Sequence, residues 1–286
     1  MMTKLESIGV VGAGQMGRGI AQVAAAAGLD VRILDVREDA LNRALHKLDE
    51  ALSRVAHARP LGSVRGETET RALRDCDFVV EAATENLELK QGIFADLDAH
   101  VRGDAILASN TSSISLTKLA GVTNRPDRVV GMHFMNPAPR MELVEVVRAL
   151  QTSDSTYETT RSLAARLGKT CVTTKDMPGF IVNRMLIPFI NEACFALQEG
   201  LGSAEDIDKA AKLGLAHPMG PLALADLIGL DTCLFIAEVL QRELGEDKYR
   251  PAAMLRNYVA AGWLGRKSGR GFYEYEGRAG ERRKVA

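Results

Sequence analysis

The residues best placed to move a proton in this chain are His133 and Glu145. Only five histidines occur. His133 ends an apolar run, Val129-Val130-Gly131-Met132, and stands just before Phe134 and the turn Asn136-Pro137-Ala138-Pro139. A short β-branched run of this kind reads as a buried strand. The imidazole should therefore lie near a strand's carboxyl end, where open α/β sheets bind their ligands. There it suits general acid–base work. Glu145 sits inside a second apolar run, Leu143-Val144-Glu145-Val146-Val147. A carboxylate among such residues is costly unless it is paired. His133 is one partner for it, and the pairing would fix the ring's tautomer. The plainer readings are a histidine satisfied at a strand end and an edge-strand acid facing water. Position alone does not choose between these and the proton-handling pair.

Three further polar residues belong with that pair. Asn110 and Ser112 lie in Ser109-Asn110-Thr111-Ser112-Ser113, directly after the apolar run Ala105-Ile106-Leu107-Ala108. An amide and a hydroxyl there can hydrogen-bond a ligand, or simply cap the next helix. Asn183 falls in the first turn of a long helical segment, near the point where the pattern of the chain changes. The remaining histidines read more plainly: His217, before Pro218, as a structural turn residue, and His46, His57 and His100 as surface positions.

The element that would bring a second reactant to these groups is the stretch Ser7 to Asp35. It runs strand, glycine turn, helix, strand, acid. Ile8-Gly9-Val10-Val11 is the first strand, and Gly12-Ala13-Gly14-Gln15-Met16-Gly17 is the turn. An Ala-rich helix follows, stopped at Gly28, and Val31-Arg32-Ile33-Leu34 leads to Asp35. In such a turn the first glycine allows the bend, the second admits a pyrophosphate, and the third lets helix and strand pack closely. The helix N-terminus offers unpaired N–H groups to phosphate. Asp35 comes at about the spacing expected of a carboxylate on a ribose 2′-OH. Dinucleotide binding follows, with Gly12, Gly14, Gln15, Met16, Gly17 and Asp35 as its residues. Asp35 would repel a 2′-phosphate and favours NAD, while Arg37, two residues on, leaves NADP as the lesser alternative.

Strands and helices go on alternating as far as Asp176. A helix is expected over 37–58, with Leu41, Leu45, Leu48, Leu52 and Val55 on one face. A short strand is expected around 63–65, then strands over 78–82, 105–108, 129–134, 143–147 and 171–174, with helices over 87–101, 115–120 and 154–167. This order predicts an α/β Rossmann-type fold, a doubly wound parallel sheet covered on both faces. After Met177-Pro178-Gly179 only helices are expected: 180–198, kinked or loosened at Pro188, 204–213 capped by Ser203 with Asp206 three residues on, 222–244 weakened at Gly229 and around Asp231-Thr232, and 251–261. The reading is thus a dinucleotide-binding domain over 1–178 and an all-α C-terminal domain over 179–286. A glycine-rich loop from Trp263 to Tyr273 precedes a tail, through Arg282-Arg283-Lys284, expected to be solvated.

Composition narrows the partners. A net charge of −1 leaves no basic surplus for a nucleic acid. No apolar run approaches the ~20 residues that span a bilayer. The four cysteines, Cys76, Cys171, Cys194 and Cys233, are far apart and lack metal-site spacing, so they read as reduced thiols of a cytoplasmic protein and no metal is expected. The first residues, MMTKLES, run directly into the first strand and leave no room for a signal peptide.

As a set these segments resemble the 3-hydroxyacyl-CoA dehydrogenase family, and most closely its short bacterial 3-hydroxybutyryl-CoA branch. The matching segments run from Ile8 to Tyr275: VGAGQMGRGIAQ, EAATENLELKQGIFADLD, ILASNTSSIS, RVVGMHFMNPAP, ELVEVV, PGFIVNR, EDIDKA, GLAHPMGPLALADLIGLD and AGWLGRKSGRGFYEY. The resemblance implies a catalytic base at His133 with Glu145 as its paired carboxylate. It implies substrate contacts at Ser112 and Asn183, and cofactor contacts on the nicotinamide side at Glu85, Lys90 and Asn110. It also implies an acyl-CoA substrate and a homodimer built through the helical domain. One segment departs from the family. The stretch from Asp35 to Cys76 is shorter than in typical members, and the serine and lysine that some relatives use on CoA fall at Ala51 and Ala58. Arg54, His57 or Arg59 could replace them. Alternatively the acyl group is carried on an acyl carrier protein, whose pantetheine arm lacks CoA's nucleotide. A third reading, a non-catalytic dinucleotide-binding protein, fits poorly with an intact set of Ser112, His133, Glu145 and Asn183.

Overall fold

The structure is a computed structural model of the chain that describes residues 5–54, 61–276 and 281–282. It divides into two units, Met1–Phe180 and Ile181–Ala286.

The first unit is an eight-stranded sheet in the order β3-β2-β1-β4-β5-β6-β7-β8. Its strands are β1 (Ser7–Val11), β2 (Asp30–Leu34), β3 (Val64–Glu67), β4 (Phe78–Glu81), β5 (Ile106–Ser109), β6 (Val129–Phe134), β7 (Leu143–Arg148) and β8 (Thr170–Lys175). The first six are parallel, and β7 turns antiparallel to β6 while pairing in parallel with β8. Helices α1 (Gln15–Ala26), α2 (Glu38–Ser53), α3 (Leu87–His100), α4 (Leu116–Ala120) and α5 (Asp154–Arg166) cover the sheet. The apolar runs follow from this burial. One core packs Val10, Ile33 and Val146 with Ile20, Leu48 and Leu163 of α1, α2 and α5. The other packs Val79 and Leu107 with Phe94 of α3 and Leu119 of α4. Burial on both faces needs nearly continuous apolar strands, which is why the strands were legible without alternation.

The short strand expected at 63–65 is β3, one residue later in the chain. The long helix expected over 37–58 is described as α2 only as far as Ser53, and Arg54 is exposed. Val55, His57, Ala58 and Arg59 lie outside the described residues.

The second unit is built of α6 (Val182–Gln198), α7 (Ala204–Gly214), α8 (Pro221–Ile228), α9 (Leu230–Leu244) and α10 (Ala253–Ala260) around a core that includes Ile190, Leu222, Cys233 and Leu255. Helix α6 runs unbroken through Pro188. The weak point at Gly229 is a full break between α8 and α9, where φ reaches +106°. Ser203 caps α7 as the spacing requires: its Oγ accepts from Asp206 N at 3.1 Å and donates to the Asp206 carboxylate at 2.7 Å. The glycine-rich loop closes onto this unit through Asp226, whose carboxylate accepts from Phe272 N and Tyr273 N, each at 3.0 Å. In the tail, Glu281–Arg282 (β10) pairs antiparallel with Tyr275–Glu276 (β9).

Candidate active site

His133 and Glu145 are brought together by the reversal of the sheet. They are directly opposed residues of β6 and β7. Opposed residues on neighbouring antiparallel strands point to the same face, within reach of one another. His133 Nδ1 and Glu145 Oε2 are 2.7 Å apart. β7 is an interior strand, flanked by β6 and β8, so the water-facing edge acid is ruled out: Glu145 is 0% exposed. With Nδ1–H donated to the carboxylate, Nε2 is the free ring nitrogen, and it lies 3.0 Å from Ser112 Oγ. The ring of Phe180 packs against the imidazole with centroids 5.6 Å apart.

Ser112 is carried by the turn after β5, and Glu85 holds that turn. One Glu85 oxygen accepts from Ser112 N at 3.0 Å, Ser113 N at 3.2 Å, Ser113 Oγ at 3.1 Å, and Thr111 Oγ1. Ser112 is therefore not a helix cap; that role belongs to Ser115, whose Oγ accepts from Lys118 N, and to Asp176, which accepts from Leu116 N and Thr117 N. Asn110 Oδ1 accepts from Phe134 N at 2.9 Å and ties the ends of β5 and β6 together. Lys90 is buried, and its ammonium reaches Glu81 at 2.6 Å, Ala83 O at 3.3 Å and Glu85 at 3.5 Å. It thus meets the site through Glu85.

The glycine turn lies across the same carboxyl edge of the sheet. Gly12 takes φ +102°, and a Cβ on Gly17 would stand 1.8 Å from the Gly12 carbonyl oxygen, so both positions demand glycine. Gly14, the N-cap of α1, has nothing within 4 Å of the place a Cβ would occupy, and no side chain caps the helix. This leaves an open cradle of backbone N–H groups suited to phosphate. Asp35 is held at the end of β2 by Ala13 N and Arg37 N, each donating to its carboxylate at 2.9 Å. It borders a cleft of about 500 Å³ lined also by Gly12, Gly14, Ala83 and Thr84. Arg37 is exposed, with its guanidinium 4.0 Å from Asp35. Gln15 Nε2 donates to Asn136 Oδ1 at 2.9 Å, joining the glycine turn to the loop after β6. Met16 is half-buried beside the apolar core.

The other sequence candidates separate from this group. Asn183 belongs to the second unit, where it is buried in the first turn of α6. His217 stacks on Phe189 at 4.7 Å, His46 pairs with Glu50, and His100 bonds Asp96. Three supporting residues, Glu81, Ser109 and Thr111, stand in polar stretches at strand ends that the sequence marks for attention, but sequence reasoning gave them no role. The available signal was a glutamate closing an apolar strand with a lysine nine residues on.

Sheet order, glycine cradle and histidine–carboxylate pair together define a nicotinamide-dinucleotide-binding oxidoreductase fold. The chain belongs to the 3-hydroxyacyl-CoA dehydrogenase family: its residues 7–177 match the family's NAD binding domain and residues 179–275 its C-terminal domain. It is 50% identical over 286 residues to a 3-hydroxybutyryl-CoA dehydrogenase of Bradyrhizobium diazoefficiens, covering 97% of this chain and 98% of that one. It is 51% identical to a probable 3-hydroxybutyryl-CoA dehydrogenase of Bacillus subtilis, covering 96% and 98%. Among solved structures it is similar to the (S)-3-hydroxybutyryl-CoA dehydrogenase of Ralstonia eutropha, with TM-score 0.90, 49% identity, and coverage of 96% and 100%.

Proposed function

We propose that this chain is an NAD-dependent dehydrogenase that interconverts a short-chain 3-hydroxyacyl-CoA, 3-hydroxybutyryl-CoA in particular, and the 3-oxoacyl-CoA. The observation that carries the reading is the continuous line Ser112–His133–Glu145 beside a glycine cradle, in a chain about half identical to relatives of that name. When bound, the nicotinamide ring supplies the hydride acceptor or donor. The protein's own work is proton transfer and positioning. Glu145 accepts the Nδ1 hydrogen bond and keeps Nε2 toward the substrate side. His133 Nε2 takes the C3 hydroxyl proton in oxidation and returns a proton to that oxygen in reduction. Ser112 and Asn183 hold the hydroxyl and the thioester carbonyl region. Glu85 and Asn110, with Lys90 behind them, border the nicotinamide side. Gly12, Gly14, Gln15, Met16 and Gly17 receive the pyrophosphate, and Asp35 takes the ribose 2′-OH and selects NAD over NADP.

In this reading residues 1–178 bind the cofactor and residues 179–286 bind substrate and form a homodimer in the cytoplasm. Among the described residues no helix is long and apolar enough to cross a membrane. Arg54, exposed beyond α2, is the described cation nearest in sequence to where some relatives bind CoA. The abbreviated segment after Asp35 favours a second reading, in which the same chemistry acts on an acyl group borne by a carrier protein. NADH consumption with acetoacetyl-CoA and with carrier-bound acetoacetate separates the two. Turnover of the CoA ester supports the first reading, and turnover of the carrier-bound form alone supports the second. Cofactor binding without turnover of either would leave only a dinucleotide-binding protein.

A further inference from the structure

We infer that the buried Glu81–Lys90 ion pair is a positioning device for the turn that carries Ser112, and so for His133. The inference rests on the function proposed above and adds residues that act behind the site. Glu81 is 0% exposed at the end of β4, and Lys90 is 1% exposed in α3. Burying two charges is expensive, and a well-packed apolar pair would serve stability at least as well. What the charged pair offers is direction. Glu81 reaches the turn by two routes. Its Oε2 accepts from Ser109 Oγ at 2.6 Å, and that hydroxyl oxygen accepts from Thr111 N at 3.2 Å. Its Oε1 accepts from Lys90 Nζ and from Ala83 N, each at 2.6 Å. Lys90 in turn lies 3.5 Å from Glu85 Oε2, and the other Glu85 oxygen gathers the backbone of Ser112 and Ser113. The line ends at Ser112 Oγ, 3.0 Å from His133 Nε2.

The hydrogen bonds to the Glu81 and Glu85 carboxylates are charge-assisted, the kind that holds geometry most firmly. Lys90 then serves the nicotinamide side by fixing Glu85. Glu81 and Lys90 are positioning residues and take no proton in the reaction.

The test compares Glu81→Gln, Lys90→Met and the double variant Glu81→Gln/Lys90→Met. Each single change removes one partner of a buried ion pair and should lower Tm, and the test is read on the double variant. The double variant removes both charges at nearly constant volume, so its Tm should return close to that of the parent chain. Its kcat with acetoacetyl thioester should stay down by about 10- to 100-fold, the cost of a small misplacement at a reacting centre. Recovery of kcat together with Tm would overturn the inference, because a purely structural pair predicts that outcome. A second readout does not depend on turnover. The ¹⁵N signal of His133 Nε2 should move in the double variant in the same direction as in Ser112→Ala. A signal unmoved from that of the parent chain would overturn the inference, even if the parent chain turned over no thioester and the proposed function failed.

Discussion

The two ends of the site are built by opposite strategies. At the glycine turn, the candidate groups are backbone N–H groups and the Asp35 carboxylate, all on the continuous stretch that runs from β1 through α1 to the residue after β2. At the proton-handling end, the groups are side chains from β6, β7 and the turn after β5, set by strand pairing and by Glu85 on the turn before α3. The first end is rigid because a helix and two strands leave no room for anything but glycine at Gly12 and Gly17. The second is rigid because each polar group is saturated by another: His133 by Glu145 and Ser112, and the Ser112 turn by Glu85. A site of the first kind fails by steric intrusion, and a site of the second kind fails when any one partner is removed.

This contrast gives ordered expectations. His133→Ala should lower kcat/KM by at least ~10²-fold while NADH still binds, since general acid–base groups contribute ~10²- to 10⁴-fold. A smaller loss would move the base elsewhere. Glu145→Gln should lower kcat by roughly 10- to 100-fold, the equivalent of one hydrogen bond to a charged group. Parent-like rates would mean that the carboxylate does not orient the ring. Gly17→Ala should act at the other end. Its methyl group would stand 1.8 Å from Gly12 O. Overpacking of this kind costs roughly 1–3 kcal/mol, so NADH affinity should fall by about tenfold or more, with a lower Tm. Unaltered titration of the fluorescence of NADH would show that α1 can shift at no cost. Asp35→Ala should have the smallest effect, weakening NADH by roughly tenfold and NADPH much less. Equal losses for both cofactors would take Asp35 off the ribose.

The same contrast explains how far the sequence could be read. The cradle was legible to the residue because its geometry is local: Gly12, Gly14, Gly17 and Asp35 are spaced by one turn, one helix and one strand. The strands of the sheet were legible because burial on both faces demands continuous apolar runs. Helix ends were less legible. Helix α6 tolerates Pro188, and the β9–β10 pairing is a contact that no local pattern announces.

Glu145 and Ser112 mark the boundary of what sequence pattern decides. Their residue types and neighbours made them candidates, with an edge acid and a helix cap as equal alternatives. Tertiary structure removed both alternatives. Strand β7 lies between β6 and β8, so Glu145 is shielded from water, and antiparallel register sets it opposite His133. Ser115 and Asp176 take the cap, so the Ser112 hydroxyl is left for the imidazole. The pairing of Glu81 with Lys90 could not be read for the same reason. Their partnership spans a strand end and a helix that only the fold brings together. Sequence by itself thus determined the alternating elements, the glycine cradle and the list of candidate polar side chains, because each depends on neighbours along the chain. Which of those side chains lie within hydrogen-bond distance of one another was decided by the order and direction of strands, a property of pairing between segments far apart in sequence.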